Sequence, residues 1–260
     1  MHRHVMAGLV ALAWSGAATA SAQDTDWNWK GAVAAGKTIE IKGVNGDVRA
    51  SAGTGSDVVV TAVKKGKKSD PSSVTIEVVT SAAGVTVCAV YPSNGKRKNS
   101  CGAGDEGNMS TDNNDVTVNF TVQVPAGVKF AGQTVNGSVS TERLGSDADV
   151  STVNGDVRVV AAGVVRASTV NGSVDVSMGK ADWTGKVELS TVNGSIRATF
   201  PATFSAVVNG STVNGSIESE FPLTVQGKFG PRSIHGTIGA GGRTLDLETV
   251  NGSITIVKGK

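Results

Sequence analysis

The sequence predicts an all-β chain wound as a single-stranded parallel β-solenoid. It is β-helix-like, with a less regular β part on its N-terminal side. Three observations carry that expectation. Period-two alternation runs through "KTIEIKG", "SDVVVTAV", "SVTIEVV", "DVTVNFTVQV", "RTLDLETV" and "GSITIVK", with one apolar and one polar face each. No segment beyond the first 22 residues carries helical periodicity. A Val-Asn-Gly unit returns at Asn45, Asn136, Asn154, Asn171, Asn193, Asn214 and Asn251, and "SIHGTI" puts His235 in the same slot. From Asn136 onward the steps are 18, 17, 22, 21, 21 and 16 residues, a period near twenty that marks stacked repeats. Asn209 falls outside that series.

Residues 1–22, "MHRHVMAGLVALAWSGAATASA", read as a secretory signal peptide. Arg3 supplies the basic start, Val5 to Trp14 a short apolar run, and Ala20-Ser21-Ala22 a small-x-small cleavage site. No Cys follows the apolar run, so a lipoprotein-type anchor is not expected, and no later stretch has the length and apolarity of a membrane helix. The expected mature protein is exported and has no transmembrane segment, in the periplasm, the medium or at the cell surface. Residues 23–38 form a polar N-terminal segment. Residues 39–257 form the solenoid, of which 39–132 are less regular and 133–257 regular. The first part holds one repeat at 39–53 and a polar loop insertion at 92–115.

Within each repeat a strand arrives, Asn-Gly turns a corner and a second strand leaves. Asn-Gly is also the strongest hairpin signal, through a type I′ turn. The near-identical flanks of every unit favour a coil, because in-register stacking at about 4.8 Å puts like residues on like. The corner Asn residues, with His235, are then expected to form a hydrogen-bonded ladder, with Asn in the left-handed region. Gly46, Gly137, Gly155, Gly172, Gly194, Gly215, Gly236 and Gly252 are the corner glycines. Val135, Val153, Val170, Val192, Val213, Ile234 and Val250 before the corner are expected inside. So are Val139, Val157, Val174, Ile196, Ile217, Ile238 and Ile254 after it. Arg158, Asp175, Arg197 and Glu218 face water.

Cys88 and Cys101 are the two cysteines, and export favours a disulfide between them over two free thiols. Formal net charge is +2, which gives no footprint for nucleic acid. The clusters "KKGKK" at 64–68 and "KRK" at 96–98 read as solvated loop tips, and as contacts for an anionic envelope polymer in the sharper alternative.

No cofactor or metal is implied. Two cysteines at this spacing do not make a zinc site. "DEGNMSTDNND" at 105–115 lacks the spacing of a calcium loop. No catalytic residue is expected either. His235 is the single histidine beyond residue 22 and sits in a repeat slot, and there is no Gly-x-Ser-x-Gly elbow.

"FTVQVPAGVKF" followed by serial "TVNGSV" and "TVNGDV" resembles the bacterial family of exported domains of unknown function labelled "putative adhesin", over roughly 39–257. The resemblance implies a β-solenoid similar in shape to right-handed parallel β-helices, and it brings no catalytic residues. The functional expectation is a non-enzymatic, adhesin-like or structural binding surface of the cell envelope, with an envelope polysaccharide or a protein as partner. One alternative is a periplasmic β-helix enzyme acting on polysaccharide. Another is an accessory or sensing protein for envelope stress.

Overall fold

The structure is a computed structural model that describes residues 25–93, 98–180, 183–225 and 232–259. The expected signal peptide lies outside the described residues, as do 94–97 of the loop insertion. The described residues form strands and one 3-10 turn at Pro71–Ser73, with no α-helix. Most strands belong to two long sheets of eleven and ten strands. The strands that lead into an Asn-Gly corner make the arriving sheet. Those that follow the corner make the departing sheet. Val, Ile, Leu and Phe from both sheets fill the space between them, with Phe120, Phe130 and Phe200 fully buried.

Strands of successive rungs pair in parallel and in register, so identical positions form columns. Lys186–Asn193 pairs with Val165–Asn171, Asn opposite Asn. Ile196–Phe200 pairs with Val174–Met178, Ile opposite Val. The corner asparagines form one continuous chain. Asn136 Nδ2 donates to Asn45 Oδ1 at 2.9 Å, Asn154 to Asn136 at 2.9 Å, Asn171 to Asn154 at 2.9 Å and Asn193 to Asn171 at 2.9 Å. Asn251 donates to Asn193 at 2.8 Å, and Asn214 to Asn251 at 2.8 Å.

The ladder departs from sequence order. The last repeat, Thr244–Asn251, sits between Lys186–Asn193 and Ala206–Asn214. Repeats this similar are interchangeable as rungs. The order adopted leaves the antiparallel strand Ser233–Ile238 covering the outer edge of Ala206–Asn214, where a bare parallel edge would otherwise invite pairing.

Four expectations are corrected. His235 and Gly236 are not corner residues, because Ser233–Ile238 runs antiparallel to its neighbour and cannot supply a parallel corner. His235 stands opposite Asn209 and Gly236 opposite Val208. The ladder asparagines do not take the left-handed conformation; the described non-glycine residues with positive φ are Asn113 and Arg143.

The valines before the corner point outward. Val135, Val153, Val170, Val192 and Val213 are 36–55% exposed, and Val250 is intermediate. The inward position one residue earlier is Thr. Its hydroxyl donates to the corner glycine carbonyl of the preceding rung, as Thr191 Oγ1 does to Gly172 at 2.8 Å and Thr249 to Gly194 at 2.9 Å. The hydroxyl is thereby satisfied inside the core. Finally, the corner glycine answers to close approach more than to φ. A Cβ on Gly194 would stand 1.9 Å from the Gly172 carbonyl oxygen.

The N-terminal part is a variation on the same rung. Gly84–Val90 pairs in parallel with Thr38–Lys42, and Thr117–Val124 with Val48–Ala52. Together they make a further rung whose corner is replaced by 91–116. Antiparallel strands Thr25–Ala32, Asp57–Lys65 and Thr75–Thr80 cover this end.

Candidate binding surface

The outward face of the arriving sheet carries a polar row that the register assembles from separate repeats. Asp149, Arg166, Glu188, Asp246, Asn209 and His235 stand side by side on six neighbouring strands. The strand spacing sets their pitch at about 4.8 Å. Period-two alternation turns each of them outward, opposite to the buried Val150, Ala167, Leu189, Leu247 and Val208.

The row is hydrogen-bonded along most of its length. Arg166 Nε donates to Glu188 Oε2 at 3.0 Å. Lys186 Nζ lies 2.6 Å from Glu188 Oε1 and 2.6 Å from Asp246 Oδ2. Asn209 Nδ2 donates to Asp246 Oδ1 at 2.8 Å. The amide oxygen of Asn209 therefore faces His235 Nδ1, at 2.6 Å. An amide oxygen only accepts, so the hydrogen bond runs from His235 Nδ1 to Asn209 Oδ1.

Hydrogen bonds from Lys186 and Arg166 hold the Glu188 carboxyl below its ordinary pKa. The bonds that Lys186 makes, first to Asp246 and then to Glu188, raise its own pKa. Asp149 behaves oppositely. Burial pushes its pKa up, Glu188 and Glu40 add to the rise, and Arg166 opposes it. A shallow groove of about 390 Å³ runs over this row, lined by Asp149, Arg166, Lys186, Glu188, Asp246 and Glu248 among others. Donors and acceptors alternate along the groove. That suits an extended ligand rich in hydroxyl, amide or charged groups.

The N-terminal end of this face is closed by the loop insertion. Its hairpin, Ser100–Cys101 with Gly107–Asn108, is tied to the sheet by the Cys88–Cys101 disulfide. Lys42 Nζ, almost fully buried, donates to the carbonyls of Gly102 at 2.7 Å, Glu106 at 3.1 Å and Gly104, and lies 3.8 Å from Glu40 Oε1. Glu40 Oε2 accepts from Thr86 Oγ1 at 2.7 Å and from the Gly104 amide at 3.0 Å. The groove therefore opens beyond the hairpin, over the regular rungs.

The basic clusters lie elsewhere. Lys64 Nζ donates to the Val74 carbonyl at 2.9 Å. The backbone amides of Lys68 and Ser69 donate to the Asp115 carboxylate, whose pKa these bonds lower. Of "KRK", Lys98 is described and exposed. Among the described residues, no group of three or more His, Cys, Asp or Glu side chains is arranged to hold a metal ion, and no helix is long and apolar enough to cross a membrane.

Reading single repeats could not reveal the polar row, because its members share no motif. Their common signal is an outward position four residues before the corner Val, as in Arg166 and Val170 or Glu188 and Val192, and the inserted last repeat hides even that order.

A family model described as Toastrack DUF4097 matches residues 37–257. A solved "putative cell adhesion protein" from Clostridium sporogenes is similar at TM-score 0.51 and 12% identity, covering 91% of this chain and 100% of that one. At that identity the likeness is one of fold. A "putative adhesin" from Bacteroides fragilis is similar at TM-score 0.33 and 13% identity, covering 90% of this chain and 97% of that one. No curated protein matches the sequence.

Proposed function

The chain belongs to the Toastrack DUF4097 family, and from that premise we propose that it is an exported, non-enzymatic binding protein of the cell envelope. Residues 1–22 act as its signal peptide and are cleaved after Ala22, and 39–257 form one adhesin-like domain. The winding is right-handed, the sense that right-twisted parallel strands favour. The observation that carries the reading is the hydrogen-bonded polar row over the arriving sheet, from Arg166 to His235. An envelope polysaccharide fits it best, since a long polymer can use the same donors and acceptors on several rungs. The adhesion naming of the structural relatives is in keeping with this.

Catalysis is the weaker reading. Lys186 and Arg166 hold the Glu188 carboxyl below its ordinary pKa, so it is not poised as a general acid, and Lys186 also pairs with Asp246. The raised pKa of Asp149 is the one feature that favours catalysis. The test is retention of the purified protein on fractionated envelope polysaccharide, with sugar release assayed in parallel. Arg166→Ala/Lys186→Ala is expected to weaken retention at least several-fold while the melting temperature stays within a few degrees. Released sugar would overturn the non-enzymatic reading. Equal retention by the double variant would move the binding surface elsewhere.

A further inference from the structure

The exposed valine column is the feature that neither folding nor the polar row uses. Thr would serve the strand equally well here, being β-branched, the same shape as Val and cheaper to expose. The neighbouring outward column does use hydroxyls, at Ser151, Ser168, Ser190 and Ser211. Yet Val stands before the corner in all seven rungs. At the N-terminal end the fold itself covers this column. Val44 is 4% exposed, against 36% for Val135 on the next rung. The groove beside the disulfide-tied hairpin runs from Val44 past Met109 to Val135 and Val153.

We infer that the open part of the column, from Val135 to Val213, is an interface for a second copy of this chain packed antiparallel. The pitch selects the occupant. The column repeats every ~4.8 Å for roughly 24 Å. An extended peptide presents one face every ~6.8 Å and a helix every ~5.4 Å, so neither stays in step. A second solenoid of the same pitch meets it at every rung.

The hairpin selects the direction. In a parallel pair the two hairpins would meet at the same end and hold the columns apart. A two-fold axis across the column avoids this, placing Val170 opposite Val192 and Val135 opposite Val213. Charge is compatible. Neutral Asn borders the column on one side and mostly Ser on the other. Gln133 and Glu248 are the exceptions, and Glu248, the charged one, then faces the Ser151 rung of the second copy. The contact covers about 400 Å² per copy, half of the ~800 Å² typical of a stable pair, so the dimer is weak and reversible.

Sedimentation of the purified protein across a concentration series tests this. A monomer–dimer equilibrium is expected at tens of micromolar or above. Val170→Lys/Val192→Lys is expected to abolish it, and Val170→Thr/Val192→Thr, which preserves strand-forming shape, to weaken it at least several-fold with the melting temperature unchanged. For orientation, mixing Val135→Cys with Val213→Cys is expected to give a cross-linked heterodimer, and Val135→Cys alone none. A monomer at every concentration, a dimer undiminished in the Thr variant, or a self-linked Val135→Cys would each overturn the proposal. The valine column and the polar row share the outward face of the arriving sheet, four residues apart, so retention on polysaccharide is read at concentrations where the protein is monomeric.

Discussion

Two rungs of this molecule solve the same problem with different parts. In the regular rung, Lys186–Asn193 turns into Ile196–Phe200 through Asn193-Gly194. Gly194 lets the backbones close, Asn193 Nδ2 donates to Asn171, and Thr191 donates to the Gly172 carbonyl. In the irregular rung, Gly84–Val90 reaches Thr117–Val124 only through 91–116. There Tyr91 spans the gap, its hydroxyl 2.8 Å from the Val116 carbonyl and 3.4 Å from that of Asn45. Burial pushes its phenol up to about 12. The disulfide and the buried Lys42 hold the rest. A short repeated motif closes its corner by stacking. A long unique loop needs a covalent tie and a buried cation for the same closure.

The largest expected effect breaks the regular corner. Gly194→Val puts a Cβ 1.9 Å from the Gly172 oxygen and 2.5 Å from its carbon, both backbone atoms that cannot step aside. The cost should exceed about 4 kcal/mol. Thermal melting should show a fall of roughly 10 °C or more, or no folded protein. Gly179→Val is the control, since nothing lies within 4 Å of its added Cβ. Equal melting of the two variants would remove close approach as the reason for the corner glycine.

How much of this was legible follows the same division. The corner Asn and Gly and the parallel stacking could be read from the recurring "TVNG", because stacking turns repetition directly into contact. The inside of the corner was within reach but misread. Val187, Leu189 and Thr191 share a face by period two, which leaves Val192 outside; hydrophobicity of a single residue outweighed parity. The insertion of the Asn251 rung was not legible, because near-identical repeats carry no signal of their order. Nor was the polar row, from Asp149 to His235. Its residues lie far apart in the chain and become neighbours only through that order and the antiparallel cover strand. Nothing in the composition of 91–116 marks Lys42 as the cation its carbonyls enclose.

The second prediction loosens the irregular rung alone. Cys88→Ala/Cys101→Ala removes a cross-link between residues 13 apart. Loop entropy values this at about 3 kcal/mol. The loss should be local. Amide exchange is expected to quicken across the hairpin Ser100–Cys101 and Gly107–Asn108, while Lys186–Asn193 keeps its protection. Uniform quickening through both rungs would show that the two ends unfold as one unit and would dissolve the contrast between them.

The smallest effect tests where the regular rung keeps its polar group. The column of buried hydroxyls runs through Thr134, Thr152, Thr169, Thr191, Thr249 and Thr212. Continued by register into the irregular end, it becomes Gly43 and Ala89, which have no hydroxyl to donate. Thr191→Val keeps the volume and deletes one hydrogen bond of 2.8 Å to a glycine carbonyl. About 1 kcal/mol should be lost, roughly 2–4 °C in melting temperature. Val192→Thr adds a hydroxyl on the exposed side and should stay within about 0.5 kcal/mol of the parent. The difference between these neighbours is the informative quantity. If Val192→Thr proved the costlier, the rung would be turned inside out relative to the structure. The exposed column proposed for pairing would then be part of the core.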